Sequence, residues 1–259
     1  MIITIDGPAG SGKSTAARKL AARLGVPYLD TGAMYRVVTL AALEDGVELT
    51  DDPALTRLAA ADDFDLDCGP THVRVHWRGR DVTEEIRSMH VSDHTHHIAS
   101  SPGVRRVLIE KQRELGRRLG SMVTEGRDQG SAAFPQADFK FYLDAELPKR
   151  AERRLHELLA EGEDLTFEQV LENVKMRDRT DSNRAVAPLT EPAGAIHIDT
   201  THLSIHQVVD QMVAHLRAAG VHVPDEHHEP AAHGRLSACK AGDSASVAGR
   251  PASPPRTAS

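Results

Sequence analysis

The sequence predicts an α/β fold in which a parallel sheet is flanked by helices, and three observations carry that expectation. A short apolar run, Ile2 to Ile5, leads directly into the glycine-rich stretch "DGPAGSGKST" and then into a helical period. Further runs of strand length recur at 122–128, 139–144 and 196–199, reading "MVTEGRD", "FKFYLD" and "IHID". Helical patterns lie between them, the arrangement expected of strands that crossover helices bury on both faces.

The elements follow in order. Behind the glycines, Ala17, Leu20, Ala21 and Leu24 fall on one helical face, and Gly25 offers a stop. In the next region Phe64/Leu66 and Val73/Val75/Trp77 alternate around the turn formers Gly69-Pro70 and Gly79. Alternation with turns between predicts short antiparallel strands, inserted as a small subdomain over about 62–100. A charged stretch from Ala145 to Asn183 places Leu155, Leu158 and Leu159, then Phe167, Val170, Leu171 and Val174, at helical spacing. A helical pair leaving the sheet edge there, over about 145–185, is expected to act as a mobile lid. Val208, Val209, Met212, Val213 and Leu216 mark a last helix. From Val221 to Ser259 there is no Phe, Tyr or Trp, and Ala, Gly, Pro and Ser dominate. Too little apolar surface remains to offset ordering entropy, so a disordered tail over 221–259 is expected behind a domain of residues 1–220.

Composition narrows the function classes. With 31 Lys and Arg against 38 Asp and Glu, global positive charge offers no grip on nucleic acid. No apolar run reaches membrane-spanning length and no basic leader opens the chain, so a cytoplasmic protein without membrane contact is expected. Two cysteines, Cys68 and Cys239, make no disulfide framework. Basic residues nevertheless cluster, with Arg105, Arg106, Lys111, Arg113, Arg117 and Arg118 in one stretch and Lys149, Arg150, Arg153 and Arg154 in another. Such clusters in an acidic chain point to compact anionic ligands held in a cleft.

The glycine-rich stretch names one of those anions. Gly7, Gly12, Lys13 and Ser14 satisfy G-x-x-x-x-G-K-[ST] between a strand and a helix, the context of a P-loop NTPase fold. Bare amides along Gly7, Pro8, Ala9, Gly10, Ser11 and Gly12, with Lys13, Ser14 and Thr15 opening the helix, form a cradle for the phosphates of ATP. Lys13 is expected to reach the β- and γ-phosphates, and Ser14 to hold the accompanying Mg²⁺.

A second ligand is suggested by arginines beside acidic or small residues at expected strand ends: "LDTGAMYR" (29–36), "SSPGVRR" (100–106), "TEGRDQGSAAFP" (124–135) and "MRDRTDSNRAVAPL" (176–189). Ligands of open α/β sheets collect at the carboxyl ends of strands, where Asp30, Thr31, Arg36, Arg127 and Asp128 would approach the glycine loop. A guanidinium fork suits a phosphate dianion, and a neighbouring carboxylate can accept from an exocyclic amine.

From about Ile2 to Leu216 these segments, taken as a set, resemble the bacterial cytidylate kinases, the CMP kinase branch of the nucleoside monophosphate kinases. The resemblance implies that ATP phosphorylates CMP and dCMP, with the strand insert serving as the monophosphate-binding part. It implies base contacts at Thr31, Arg105, Asp128 and Arg184, acceptor-phosphate arginines at Arg36 and Arg127, and ribose contacts at Arg177 and Asp181. Tyr35 would shape the pocket wall. Lys13, Arg36, Arg127 and a lid arginine, Arg177 or one of Arg150, Arg153 and Arg154, would stabilise the transferring charge. Three positions depart from the family pattern: His96 where a sugar-binding serine is frequent, Gln129 where methionine is common, and Thr180 where a lid arginine is common. His96 leaves the choice between ribose and deoxyribose open.

Two alternatives stand beside this reading: a kinase for UMP, AMP or shikimate, and a nucleotide-dependent switch, for which the N-K-x-D guanine motif is missing. His90, His94, His96 and His97 are expected to sit on a histidine-rich surface helix and not to cage a metal; the tail's His227, His228 and His233 are weaker ligands still. A monomer is expected.

Overall fold

The computed structural model describes residues 1–61, 63–160 and 162–224. Its main sheet has five strands in the order β2-β6-β1-β7-β8, all parallel: β1 (Ile2–Asp6), β2 (Tyr28–Asp30), β6 (Met122–Glu125), β7 (Phe139–Asp144) and β8 (Ile196–Asp199). The central strand shows why these segments read as runs and not as alternations. Ile3 and Ile5 on one face and Thr4 and Asp6 on the other are all inaccessible to solvent. Ile3 pairs with Val123 on one side and Phe139 on the other, so the strands' carboxyl ends line up along one edge.

Helices cover the sheet. The helix after the glycine loop, α1 (Lys13–Leu24), packs on α8 (Ile205–Ala218), and α2 (Thr31–Glu44), α3 (Asp52–Ala60), α4 (Met89–Ser100) and α5 (Pro102–Leu119) form a second packed group. Each begins with a local device. Asp30 caps α2, Asp51 caps α3, Ser88 caps α4 and Ser101 caps α5, each side chain accepting an N–H of the first turn.

The expected insert is a three-stranded antiparallel sheet of β3 (Phe64–Cys68), β4 (Val73–Trp77) and β5 (Arg80–Asp81), with Leu66 opposite Val75. Leu66, Val73, Val75 and Trp77 point inward while Asp65, Asp67 and Arg74 face solvent, the alternation of a sheet buried on one side. Its hairpin turns at Arg78 and Gly79, with φ of 48° and 79°, the left-handed pair of a type I′ turn. Arginine has no intrinsic preference for that conformation. Arg78 is held in it by a two-pronged bond to Asp45 (2.9 and 2.8 Å) and by stacking 4.5 Å above the Trp77 ring.

The charged excursion forms two helices, α6 (Leu147–Ala160) and α7 (Phe167–Ser182), packed on each other around Ala151, Leu158, Val170 and Val174. This small apolar cluster is separate from the main core. Thr166 and Gln169 close a capping box at the start of α7.

Two expectations change. The basic stretch of α5 does not gather at a cleft: Arg105 is buried, Arg113 pairs with Glu110 and donates to the Ala132 and Ala133 carbonyls, Arg117 pairs with Glu114 and Arg118 with Asp65, and Lys111 donates to the Ala61 carbonyl. A helix distributes neighbouring charges around its whole circumference, so a run of arginines says little about which way they point. At the carboxyl end the chain stays packed beyond residue 220, with Val223 buried in the main core and its carbonyl accepting from Arg217 Nη2 at 2.9 Å. Low average apolarity over the tail concealed Val221 and Val223, both packed on the core. The remainder of the expected tail, 225–259, including Cys239, His227, His228 and His233, lies outside the described residues. Among the described residues no helix is long and apolar enough to cross a membrane.

Candidate active site

The glycine loop leaves the end of β1 in a path that side chains would block. Gly7, Gly10 and Gly12 all have positive φ, at 146°, 75° and 89°. A Cβ on Gly7 would stand 2.0 Å from the Leu143 carbonyl oxygen, and one on Gly10 would stand 2.7 Å from that of Arg150. The loop is thus pressed between β7 and α6, and its amides are free to turn toward the helix start. Lys13 is buried at the first turn of α1 and donates from Nζ to the Pro8 carbonyl (2.5 Å) and to Ser11 Oγ (3.2 Å). Burial and then the Arg127 cation push its pKa well below the usual lysine range. Ser14 Oγ donates to Glu125 Oε1 at 2.9 Å, and Tyr28 OH lies 3.5 Å from the same oxygen. A hydroxyl facing a carboxylate at the phosphate end of the loop is a hard-oxygen donor set of the kind Mg²⁺ prefers, so the residues present fit that ion.

The helical pair grips this loop. Arg150 on α6 donates from Nη1 to the Ala9 carbonyl (3.0 Å) and to Asp178 Oδ2 (2.6 Å), while Asp178 Oδ1 accepts from the Ala9 amide (3.4 Å). Arg153 donates to Thr200 Oγ1 (2.9 Å), whose hydroxyl donates in turn to the Ser11 carbonyl (3.2 Å). Arg154 pairs with Glu157 at 3.0 Å. The fourth lid arginine is different: among the described residues, the Arg177 guanidinium has neither a hydrogen bond nor an ion pair. Desolvation of its head group and then the Arg127 cation lower its pKa to about 10.

The residues expected to bind the acceptor come together from five segments. At the end of β2, Asp30 caps α2 and also accepts from Arg36 Nη2 (3.2 Å) and Arg87 Nη2 (3.1 Å). Thr31 Oγ1 donates to the Glu125 carbonyl at 2.7 Å. Arg127 Nε donates to Asp181 Oδ2 at 2.8 Å, and the other oxygen of Asp181 receives Arg184 Nη2. Burial alone would raise the Asp181 carboxyl, but Arg127, Arg184 and Arg177 together hold it below its ordinary value.

Arg105 is 1% exposed and almost entirely committed to the protein. Its Nη2 donates to Asp128 Oδ2 (2.5 Å) and the Ala187 carbonyl (3.1 Å), its Nε to the Val186 carbonyl (2.7 Å) and its Nη1 to the Ala99 carbonyl (3.1 Å). The two successive carbonyls are presented by Ala187 at φ 50°, a left-handed residue placed before Pro188, which is an unfavourable backbone for alanine. Arg105 also lies 5.5 Å from the Tyr35 ring centroid. Tyr35 OH, Arg36 Nε and Arg184 Nε are buried without a partner among the described residues. Each such atom costs about 1–3 kcal/mol, so three of them around one pocket mark a place for a polar ligand.

The glycine loop and the arginine-lined region meet at Glu125, whose carboxylate accepts from Ser14 and whose carbonyl accepts from Thr31. Arg127 and Arg177 both depress Lys13, and Asp128, Arg105 and Arg184 all bear on Tyr35. Sequence reasoning missed Asp6, Glu125, Arg87 and Asp178. Asp6 and Glu125 carry a visible signal, a carboxylate at the end of an apolar strand; Arg87 and Asp178 carry none. His96 is exposed on α4 with Nδ1 2.7 Å from the Asp93 carbonyl, and its ring lies 3.9 Å from that of His97. His90 and His94 stand edge to face at 5.1 Å, and among the described residues no group of three or more His, Cys, Asp or Glu could hold a metal. Gln129, fully buried, accepts from Thr124 Oγ1 (3.0 Å) and donates to Gln112 Oε1 (3.1 Å), giving this interior position a polar network.

Residues 3–218 match a protein family described as cytidylate kinase. A cytidylate kinase of Caldanaerobacter subterraneus subsp. tengcongensis is 45% identical over 215 residues, covering 83% of this chain and 94% of that protein. One from Solibacter usitatus is 44% identical over 220 residues, covering 84% and 93%. A bifunctional pantoate ligase/cytidylate kinase of a Synechococcus strain is 45% identical over 215 residues, 82% of this chain, which there spans only 40% of the relative's length.

Proposed function

The chain belongs to the cytidylate kinase family, and from that premise we propose that it moves the γ-phosphoryl group of ATP directly onto the phosphate of CMP, and of dCMP. A phosphate oxygen of the acceptor forms the new bond to phosphorus as the bond to the β–γ bridging oxygen breaks, and ADP departs. That nucleophile is already ionised at neutral pH, so no side chain has to remove a proton. Catalysis is positioning and charge stabilisation.

In this reading the amides of Gly7 to Gly12 and the ammonium of Lys13 hold the donor phosphates. Ser14, with Glu125 behind it, would hold Mg²⁺, which would supply neutralising charge to the donor phosphates. Arg36 and Arg127 fix the acceptor phosphate, and Arg177, whose guanidinium makes no hydrogen bond or ion pair among the described residues, reaches the charge that develops between the two nucleotides. Asp128 accepts from the exocyclic amine of cytosine, with Thr31, Arg105 and Arg184 around the base, Tyr35 along the wall and Asp181 near the sugar. The helical pair closes over the loop and keeps water from taking the phosphoryl group.

The single observation behind this reading is that Glu125 joins the two regions, its carboxylate accepting from Ser14 Oγ of the glycine loop at 2.9 Å and its carbonyl from Thr31 Oγ1 at the start of α2 at 2.7 Å. Release of ADP from ATP, followed with each nucleoside monophosphate in turn, tests it. Rapid turnover with CMP and dCMP is expected; turnover confined to UMP or AMP, or slow hydrolysis indifferent to every monophosphate, overturns it.

A further inference from the structure

Asp6 has no part in the chemistry described above, yet it stands where the donor loop begins. It is the last residue of β1, directly before Gly7, and is inaccessible to solvent. A buried carboxylate is tolerated only where its oxygens are satisfied. Those of Asp6 are, and both by one segment: Oδ1 accepts from the amide of Gln129 at 2.8 Å and Oδ2 from that of Gly130 at 2.7 Å.

That segment needs holding. The ladder between β1 and β6 ends with Ile5 beside Glu125, and the amide of Gly126 makes the last bond to it, on the Ile5 carbonyl at 3.1 Å. The chain then leaves the sheet through Arg127 and Asp128, with Asp128 at φ −148°, and enters the wide helical turn Gln129–Ala133. The Asp128 carbonyl receives the amides of Ala132 and Ala133, at 2.8 and 3.0 Å, so this turn has internal bonds of its own in place of strand pairing. Its first two amides go to Asp6. Gly130 is pressed close, since a Cβ there would stand 2.8 Å from Thr4 Oγ1.

We propose that Asp6 is a positioning residue: its carboxylate pins the turn that carries Arg127 and Asp128 to the root of the donor loop, fixing the separation of the two nucleotide sites. The proposal rests on the reading of Arg127 and Asp128 as acceptor contacts. Physically it is a pair of hydrogen bonds from one rigid strand to a turn without strand pairing, and it works through backbone amides, so it places side chains without touching a substrate. Lys13 and Asp128 are the charged groups that bear on Asp6, one from each nucleotide site.

Asp6→Asn tests this at constant volume. The amide group of asparagine can accept from one of the two N–H donors but presents its own N–H₂ to the other. The expected result is a rise in KM for CMP of about tenfold, the equivalent of 1.4 kcal/mol, with KM for ATP within about twofold of wild type. Amide hydrogen exchange should quicken at Gln129 and Gly130 while Ile3 and Ile5 stay protected. Equal losses toward ATP and CMP, or unchanged kinetics, would overturn the proposal. Should the variant fail to fold, exchange in the wild type still decides: the Gln129 and Gly130 amides should exchange as slowly as those of β1, and rates typical of exposed loops would overturn the pinning. Because exchange is read without substrate, a wild-type enzyme inert toward CMP would sink the reaction proposed above while slow exchange would still support the Asp6 anchor.

Discussion

In the proposed reading, the donor loop and the acceptor pocket solve the same problem, holding phosphate, by opposite means. The loop is a run of consecutive residues whose backbone turns inward, made possible by Gly7, Gly10 and Gly12 at positive φ. The pocket is assembled from side chains of α2, α5, the turn after β6, α7 and the strand end at Asp30, brought from across the chain and held by ion pairs. A backbone cradle has few ways to fail, because its donors are fixed by conformation. A guanidinium pocket is held in place by partners such as Asp181 and Asp30, and each of those partners is a point at which it can be broken.

The largest effect should come from the one side chain on which the loop depends. Lys13→Ala is expected to lower kcat by about 10²- to 10⁴-fold, the range for removal of one transition-state electrostatic group, in a coupled assay of ADP release. On the acceptor side, Asp128→Ala leaves Arg105 buried without its counter-charge. The expected loss is about 3–5 kcal/mol of stability in urea unfolding, with CMP recognition lost and ATP binding retained. Equal damage to both ligands would erase the contrast between the two regions. The lid arginines sharpen it further. Arg177→Ala breaks no hydrogen bond or ion pair among the described residues and removes only one of three cations near Asp181, so stability should fall far less than in Asp128→Ala while turnover falls about tenfold or more. Arg150→Ala, which strips a partner from Asp178 and from Ala9, should instead show in thermal unfolding as well.

The smallest expected effect is on pH dependence. Burial pushes the Asp6 carboxyl up to about 7, although its two amide bonds oppose that. An unfolded aspartate titrates near 4, so between there and about 7 the folded chain binds the extra proton, and this residue's contribution to stability falls as pH rises through that window. Asp181 behaves oppositely: its folded carboxyl is held below the ordinary value, so its contribution is present above about pH 4 and is lost only on further acidification. Urea unfolding of Asp6→Asn and wild type at pH 5 and pH 8 should show the variant gaining relative stability at the higher pH. A constant difference would remove Asp6 as a titrating group.

How much of this was legible in the sequence follows from the same contrast. The loop could be read because its chemistry is local: glycines, lysine and serine within one stretch, set between an apolar run and a helical period. The strands at 122, 139 and 196 could be read because burial on both faces leaves unbroken apolar runs. The pocket could be named only through resemblance, and its inner bonding could not be read at all, since Arg127 and Asp181, or Arg150 and Asp178, meet only after folding. Charge clustering misled on α5, where Arg105 is buried and Arg117 is exposed, because density along a chain does not encode direction. Asp6 and Glu125 were visible as strand-end carboxylates, but nothing in the sequence said what would approach them.

Helix α7 carries two aspartates three residues apart. Asp178 meets the Ala9 amide in the loop, and Asp181 meets Arg127 in the pocket. A rigid rod in contact with both compartments cannot shift for one occupant without the other sensing it. Reciprocity then sets a numerical bond between them: whatever factor ATP adds to the grip on CMP, CMP must add to the grip on ATP.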